Sequence, residues 1–201
     1  MRPMLRFAPA LLAVILLSGC GYIPWFKGEK DPRPPTELTP ITAGLGITTL
    51  WSSVTGKGTH GRRLSLAPAY QDGRLYVADA KGLVTAINAA DGRQIWQRDT
   101  GLTLSGGPEV VGARLVAGST NGELIALSAT DGSELWRTRV GSEILSIPRI
   151  AGDLVVLHTL NDSVMGFDAA SGEQRWFYDF QSPTLTLRGS STPLIVGKYA
   201  V

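Results

Sequence analysis

Few residues in this chain have side chains and spacings suited to chemistry. Its 201 residues include one cysteine, Cys20, so neither an intramolecular disulfide nor a cysteine-rich zinc cluster can form. The two histidines, His60 and His158, lie far apart in the sequence, which disfavours a histidine metal site or a histidine relay. No Ser/His/Asp set, phosphate-binding loop or unique pair of carboxylates is present. The thiol of Cys20 is therefore the first group to explain.

Cys20 stands at the end of a predicted export signal. A short positive region and an apolar run over residues 7–17 precede Leu17-Ser18-Gly19-Cys20. That run is too short to span a bilayer, which needs about 20 apolar residues. Small residues before a cysteine resemble the bacterial lipobox, in which the thiol is diacylated, the chain is cut before the cysteine and the new amine is acylated. We therefore predict a signal peptide over residues 1–19 and lipidation of Cys20.

The residues after Cys20 indicate which membrane holds the chain and how long the tether is. Gly21 stands where Asp would retain a lipoprotein at the inner membrane of enteric-type bacteria, so we expect the periplasmic face of the outer membrane. Three acyl chains exceed the two signals that stable anchoring needs. Residues 20–40 are predicted to be a lipid-anchored tether, because prolines there interrupt any helix or ladder. These prolines are Pro24, Pro32, Pro34, Pro35 and Pro40.

The charge balance gives no support for a nucleic-acid or anionic-membrane surface. The formal net charge is +2, but Arg2 and Arg6 lie in the predicted signal peptide. Without these two residues the chain has 17 basic and 17 acidic residues. Hydrophobic residues make up 43% and charged residues 18%, which is typical of a globular protein.

The rest of the chain repeats with a period of 40 residues. Each repeat contains four short segments that are apolar or alternate between polar and apolar residues, separated by glycine-containing turns. Four short antiparallel strands per repeat predict an all-β fold, a β-propeller of WD40-like blades. One tryptophan recurs in each repeat and is predicted to pack in the seam between blades, the alternative being a ligand-binding aromatic. The repeat positions are Trp51, Trp96, Trp136 and Trp176, with the turn glycines Gly92, Gly132 and Gly172.

The repeats divide residues 41–201 into parts of a propeller. Full repeats are predicted near 64–100, 104–140 and 144–180, and a truncated fourth repeat from 190. Trp51 and Gly56 have the spacing of Trp96 and Gly101, so residues 47–55 are predicted to be a strand that closes the ring. About three and a half blades cannot close a ring, because propellers need at least about four. We therefore expect the N-terminal part of a longer protein.

The repeat carries a family resemblance. Residues 86–96, Ala-Ile-Asn-Ala-Ala-Asp-Gly-Arg-Gln-Ile-Trp, are similar to the repeat of pyrroloquinoline quinone (PQQ) propellers, and so are residues 126–136 and 166–176. The lipobox, the tether, the strand around Trp51 and the Leu-Thr-Leu-Arg-Gly segment at 185–189 narrow the resemblance to the BamB family of outer-membrane lipoproteins. Members of that family have about eight blades, so the chain resembles roughly the first half of one.

The resemblance implies a non-catalytic scaffold of the β-barrel assembly machinery. Such a scaffold aids the insertion of β-barrel proteins into the outer membrane through contact with the periplasmic POTRA domains of BamA. Nascent outer-membrane proteins are a further partner, and neither a cofactor nor nucleic acid is expected. The alternative is a PQQ-dependent quinoprotein dehydrogenase, which uses PQQ, calcium and usually a vicinal cysteine pair that this chain lacks. Asp91, Asp131 and Asp168 stand at or near turns, one in each repeat, and would not converge on a calcium ion.

A longer connection before the fourth repeat holds the predicted partner-binding residues. The spacing between repeats increases there from 40 to 45 residues, so five residues are inserted. Surface insertions can present side chains without disturbing the core. Leu185 and Leu187 alternate, and Arg188 adds a forked donor, a composition typical of interface hot spots. Inward packing of both leucines is the alternative that the residues leave open. The family resemblance assigns Leu185, Leu187 and Arg188 to docking on the POTRA domains.

The two histidines have structural interpretations. His158 ends an apolar run and is predicted to be a packed, hydrogen-bonded ring in a strand. His60 lies in a glycine-rich segment with Arg62 and Arg63, which is either a solvated basic loop or a surface for a partner.

Overall fold

The computed structural model describes residues 36–37, 46–180, 191–197 and 199–200. Cys20, most of the tether and the segment that contains Leu185, Leu187 and Arg188 lie outside the described residues. The described part of the chain is all β-structure, with fifteen strands. Within it, no helix has the length and apolar character needed to cross a membrane.

Twelve of the strands form three four-stranded antiparallel blades in which sheet order follows chain order. The first blade, after the short strand β1 (Ser65–Leu66), consists of β2 (Ala69–Gln71), β3 (Arg74–Ala78), β4 (Leu83–Asn88) and β5 (Gln94–Asp99). The second consists of β6 (Leu104–Val111), β7 (Arg114–Ser119), β8 (Glu123–Ser128) and β9 (Glu134–Arg139). The third consists of β10 (Arg149–Ala151), β11 (Leu154–His158), β12 (Ser163–Asp168) and β13 (Gln174–Asp179). The predicted all-β fold of four-stranded antiparallel blades is confirmed.

Three further strands join or follow these blades. Strand β1 pairs in parallel with the innermost strand of the second blade, with Ser65 opposite Gly106 and Leu66 opposite Gly107. The hairpin of β14 (Ile195–Val196) and β15 (Tyr199–Ala200) follows the third blade.

The segment over residues 47–55 differs from the predicted strand. None of these residues belongs to a strand, because a strand needs a neighbour for its backbone hydrogen bonds and no described strand lies beside this segment. Leu50 and Val54 are 87% and 95% exposed. The segment is held instead through side chains: the hydroxyl of Thr55 donates to that of Thr85 at 2.8 Å, and the ring of Trp51 contacts the first blade.

The hydrophobic core lies between blades rather than within one. Successive side chains of a strand point to opposite faces, so β8 sends Ile125 and Leu127 into the core shared with the first blade. The same strand sends Leu124 and Ala126 into the core shared with the third blade. A strand buried on both faces reads as a continuous apolar run, which is the sequence of β8.

The recurring tryptophan is the contact that joins one blade to the next. Its indole N–H donates to a backbone carbonyl in the last turn of the following blade, and the three bonds are 2.9 to 3.1 Å long. These bonds run from Trp51 to Ala89, from Trp96 to Ala129 and from Trp136 to Ala169. One large ring and one hydrogen bond are therefore reused at each of these seams.

A glycine lies under each of these rings. Gly132 has a φ of +75°, and a Cβ added there would stand 2.6 Å from a ring carbon of Trp96. Gly92 and Gly172 have the same relation to Trp51 and Trp136. The backbone conformation and the close ring both require glycine, which explains the fixed spacing of glycine and tryptophan.

Trp176 has no turn of a following blade to cover in the described residues. Its ring lies over Gly166 in its own blade, where a Cβ would approach the ring to 2.1 Å. The equivalent positions in the other two blades are Ala86 and Ala126. Trp176 is half-buried, whereas Trp96 and Trp136 are buried.

We expect Gly132→Ala to destabilise the protein more than Gly112→Ala. Both glycines have positive φ, but a Cβ at Gly112 would meet nothing within 4 Å, whereas one at Gly132 would clash with Trp96. Backbone strain should cost each variant about 1 kcal/mol, and overpacking should cost Gly132→Ala about 1–3 kcal/mol more. Urea unfolding measures both free energies of unfolding. Equal losses would contradict a tight contact between ring and glycine.

Candidate partner-binding face

The blades present two sets of loops on one face. In each blade the turn between the second and third strands accepts a hydrogen bond from the connection that follows the fourth strand. These bonds run from Thr100 N to Gly82 O, from Val140 N to Gly122 O and from Phe180 N to Asp162 O. We call this surface the loop face. It comprises the turns at 79–82, 119–122 and 159–162 together with the connections between blades.

The connections also bind the next blade, so the loop face is tied together across the seams. Thr120 N donates to Thr103 O at 2.9 Å, and Leu160 N donates to Glu143 O at 2.9 Å. Ala80 N donates to Gly58 O at 3.0 Å in the same way. The two connections after the first and second blades are each bonded to two blades, so backbone hydrogen bonds hold the loop face together at these seams.

Asp79 organises the loop face of the first blade. Its carboxylate accepts hydrogen bonds from the backbone N–H groups of Lys57, Lys81 and Leu83, at 2.8 to 2.9 Å. Burial by itself raises the pKa of Asp79, but the amides of Leu83, Lys57 and Lys81 outweigh burial and lower it below its usual range. Buried Ser119 and Thr159 occupy the equivalent turn positions, so Asp79 is the one carboxylate among them.

Both ends of the connection that contains the predicted partner-binding residues are described, although Leu185, Leu187 and Arg188 are not. The connection leaves the third blade at Phe180, beside Asp162, and returns at Ser191. The carbonyl of Ser191 lies 3.2 Å from Nδ1 of His158, and the hydroxyl of Thr192 accepts a hydrogen bond from Ile147 N at 3.3 Å. The connection therefore begins and ends on the loop face.

A pocket of about 570 Å³ lies between these two ends. His158 forms its polar wall, with Nε2 3.3 Å from Asp162 Oδ1 and Nδ1 facing the Ser191 carbonyl. The ring of His158 is packed and hydrogen-bonded, as the sequence predicts. Apolar side chains form most of the remaining wall, so the pocket can accept an apolar side chain. It is lined by His158, Asp162, Val164, Phe180, Ser191, Pro193 and Ala200.

The end of strand β13 and the residue after it carry exposed aromatic side chains that the sequence argument did not use. Tyr178 and Phe180 are 58% and 51% exposed, and their ring centroids lie 4.7 Å apart in an edge-to-face arrangement. The corresponding residues are Arg98 and Thr100 in the first blade and Thr138 and Val140 in the second. Alignment of the three repeats would have revealed this departure, which lies beside the pocket.

The acidic residues that were considered as calcium ligands stabilise turns. Asp131 accepts a hydrogen bond from Ser133 N, which lowers its pKa, and Asp91 accepts one from Arg93 N. The pKa of Asp168 is held well below its usual range by the amide of Ser171 and by the ion pair with Arg175. No group of three His, Cys, Asp or Glu side chains that could hold a metal ion occurs within the described ranges.

Comparison with known families identifies the family to which the repeat belongs. Residues 46–103 and 80–201 match the model of a family described as outer membrane protein assembly factor BamB. The chain belongs to the BamB family. The β-propeller predicted from the period of 40 residues is confirmed by the similarity to a solved BamB structure, from Moraxella catarrhalis. The two are 29% identical with a TM-score of 0.62, over 65% of this chain and 40% of that chain.

Curated BamB proteins are similar over part of the chain. The BamB of Alkalilimnicola ehrlichii is 39% identical over 103 residues, which is 51% of this chain and 24% of that protein. The BamB of Escherichia coli K12 is 41% identical over 88 residues, 44% of this chain and 22% of that protein. The matched part thus spans about a quarter of the length of these relatives.

The PQQ propellers share the fold alone. A quinohemoprotein alcohol dehydrogenase from Comamonas testosteroni is 23% identical with a TM-score of 0.50, over 59% of this chain and 21% of that chain. Identity at this level carries no argument about activity.

We expect Asp79→Asn to reduce the free energy of unfolding by about 1–3 kcal/mol near neutral pH, because the amide that replaces the carboxylate leaves a backbone N–H unpaired. A lowered pKa means that the carboxylate stabilises the fold above about pH 4 and loses this effect as pH falls through the folded-state pKa. The difference between wild type and variant should therefore shrink toward about pH 3. Asp99→Asn, at an exposed residue, is the control. A pH-independent difference would contradict this role of Asp79.

Proposed function

We propose that this chain belongs to a non-catalytic scaffold lipoprotein of the β-barrel assembly machinery, which contacts the periplasmic POTRA domains of BamA. The observation that carries the proposal is the family match over residues 46–103 and 80–201, because that family is described as an outer membrane protein assembly factor. A scaffold needs a rigid body and an accessible docking surface rather than converging catalytic groups. The bonded connections of the loop face support such a body.

The docking site that we propose is the connection between the third blade and β14. Leu185 and Leu187 would supply two apolar anchors, and Arg188 would supply a charge-assisted, forked hydrogen bond to a carboxylate or carbonyl of the partner. The described ends of the connection support this proposal, since Phe180 and Ser191 are both held on the loop face. The pocket beside His158 and the exposed rings of Tyr178 and Phe180 would extend the apolar contact area.

The proposed location is the periplasmic face of the outer membrane. Residues 1–19 would be the signal peptide, Cys20 the lipidated N-terminus and residues 20–40 the tether. Residues 41–201 would form the propeller part, in which Trp51, with residues 47–55, belongs to the seam before the first blade. A tether of this length holds the domain near the membrane and lets it turn toward a membrane-bound partner.

The enzyme alternative is not proposed. A quinoprotein dehydrogenase would need residues that converge on a cofactor and a calcium ion, and the acidic residues weighed for that role each bind the amides of their own turn. The similarity to the dehydrogenase is a similarity of fold alone. The curated relatives are named as assembly factors.

We expect the triple variant Leu185→Ala, Leu187→Ala, Arg188→Ala of the full-length protein to lose co-purification with BamA. Loss of a true hot spot corresponds to about 2 kcal/mol or more of binding free energy. If these residues dock a partner rather than pack inward, the melting temperature should be unchanged.

The matched control changes an exposed arginine and two partly exposed apolar residues away from the loop face, Arg93→Ala, Ile95→Ala and Leu135→Ala. This control should co-purify with BamA like the wild type. Intact association of the loop variant would contradict the docking site. A collapsed melting temperature would instead support inward packing of the two leucines.

A further inference from the structure

A second connection on the loop face has the same extension as the one before the fourth repeat. Trp51 precedes Pro68 by 17 residues, and Trp176 precedes Pro193 by 17 residues. The two other connections are shorter, with 12 residues from Trp96 to Pro108 and the same from Trp136 to Pro148. The connection that leads into the first blade is therefore five residues longer than the two short ones. It lies on the loop face, from which the proposed docking connection leaves the third blade.

The first extension is basic and is fixed at its base. It contains Lys57, Arg62 and Arg63, and its backbone turns where Arg62 N donates to Thr59 O at 3.1 Å. Asp79 holds its start, because Oδ2 accepts the amide of Lys57 and Oδ1 accepts the amide of Lys81. The buried carboxylate of Asp79 thus holds the backbone of a fourth cationic residue, Lys81 in the turn of the first blade, next to the extension.

These four cations have no described acidic partner. Lys57, Arg62, Arg63 and Lys81 are exposed, and the ion pairs within the described ranges involve none of them. The carboxylate nearest to them in the hydrogen-bond network, Asp79, is buried and occupied by backbone amides. By contrast, five of the eight arginines in the three blades are ion-paired: Arg93, Arg137, Arg139, Arg149 and Arg175.

We infer that Lys57, Arg62, Arg63 and Lys81 form a basic docking patch for an acidic protein surface. This inference rests on the proposed function. The acidic surface belongs to the protein that also binds the connection at the third blade. The two extensions share a face and a length, and the loop face between them is hydrogen-bonded across each seam, so one partner can span both. Arginine forks match carboxylates in pairs, and unpaired surface cations accelerate association with a surface of opposite charge.

The test measures binding of the full-length protein to purified POTRA domains of BamA by surface plasmon resonance. Arg62→Glu combined with Arg63→Glu reverses two charges of the patch. Arg93→Glu combined with Arg98→Glu makes the same change of net charge on exposed residues outside it. At low salt, about 50 mM, we expect about tenfold weaker binding of the patch variant, mainly from slower association, and wild-type binding of the control. At about 300 mM salt the difference between the two should shrink.

Wild-type binding of the patch variant to the POTRA domains at low salt would overturn the inference while leaving the proposed function intact. If that variant also lost binding to phosphatidylglycerol vesicles, the patch would be assigned to a membrane. Failure of the wild-type protein to bind the POTRA domains would contradict the proposed function as well. Equal melting temperatures of the three proteins establish that folding is not the cause.

Discussion

Each of the two seams between the described blades is made by one tryptophan ring that reaches from the last strand of a blade to the last turn of the next. The ring lies on a glycine with positive φ, and its N–H bonds to the carbonyl three residues before that glycine. Neither partner can change alone, because a larger residue at Gly132 would displace Trp96 and loss of the ring would leave Ala129 O without this donor. The spacing between Gly132 and Trp136 therefore repeats from blade to blade, and the other contacts between blades depend on it.

The tryptophan contact leaves the opposite face of the blades free for function. The connections on the loop face can vary in length without disturbing the seam, since the seam is fixed at the other end of each blade. Two of them stay short and bury Leu102 and Ile144, whereas two are longer by five residues. In the proposed scaffold the longer pair meets the partner, with apolar anchors and Arg188 at the third blade and basic residues at the first.

Much of the fold could be predicted from the sequence because its determinants are local and repeated. The four antiparallel strands expected in each repeat are found, because short apolar runs between turn glycines recur with the period of 40 residues. Residues 47–55 form no strand in the described part of the chain, where no neighbouring strand is present to pair with them, so the predicted closing strand stays a prediction. The hydrogen bond from the Lys57 amide to the Asp79 carboxylate links residues 22 positions apart and could not be predicted either. The aromatic residues Tyr178 and Phe180 at the end of β13 were visible in the sequence, but only comparison between repeats separates them from ordinary core residues.

Hydrogen–deuterium exchange of the full-length protein, with and without the POTRA domains of BamA, tests the central claim that the loop face is the docking face. The account predicts slower exchange on binding in peptides that cover residues 56–63 and 180–193. It predicts no change in the turns at the opposite ends of the blades, around Gly92, Gly132 and Gly172. Protection confined to those turns, or no protection in either set of peptides when the complex is formed, would contradict it.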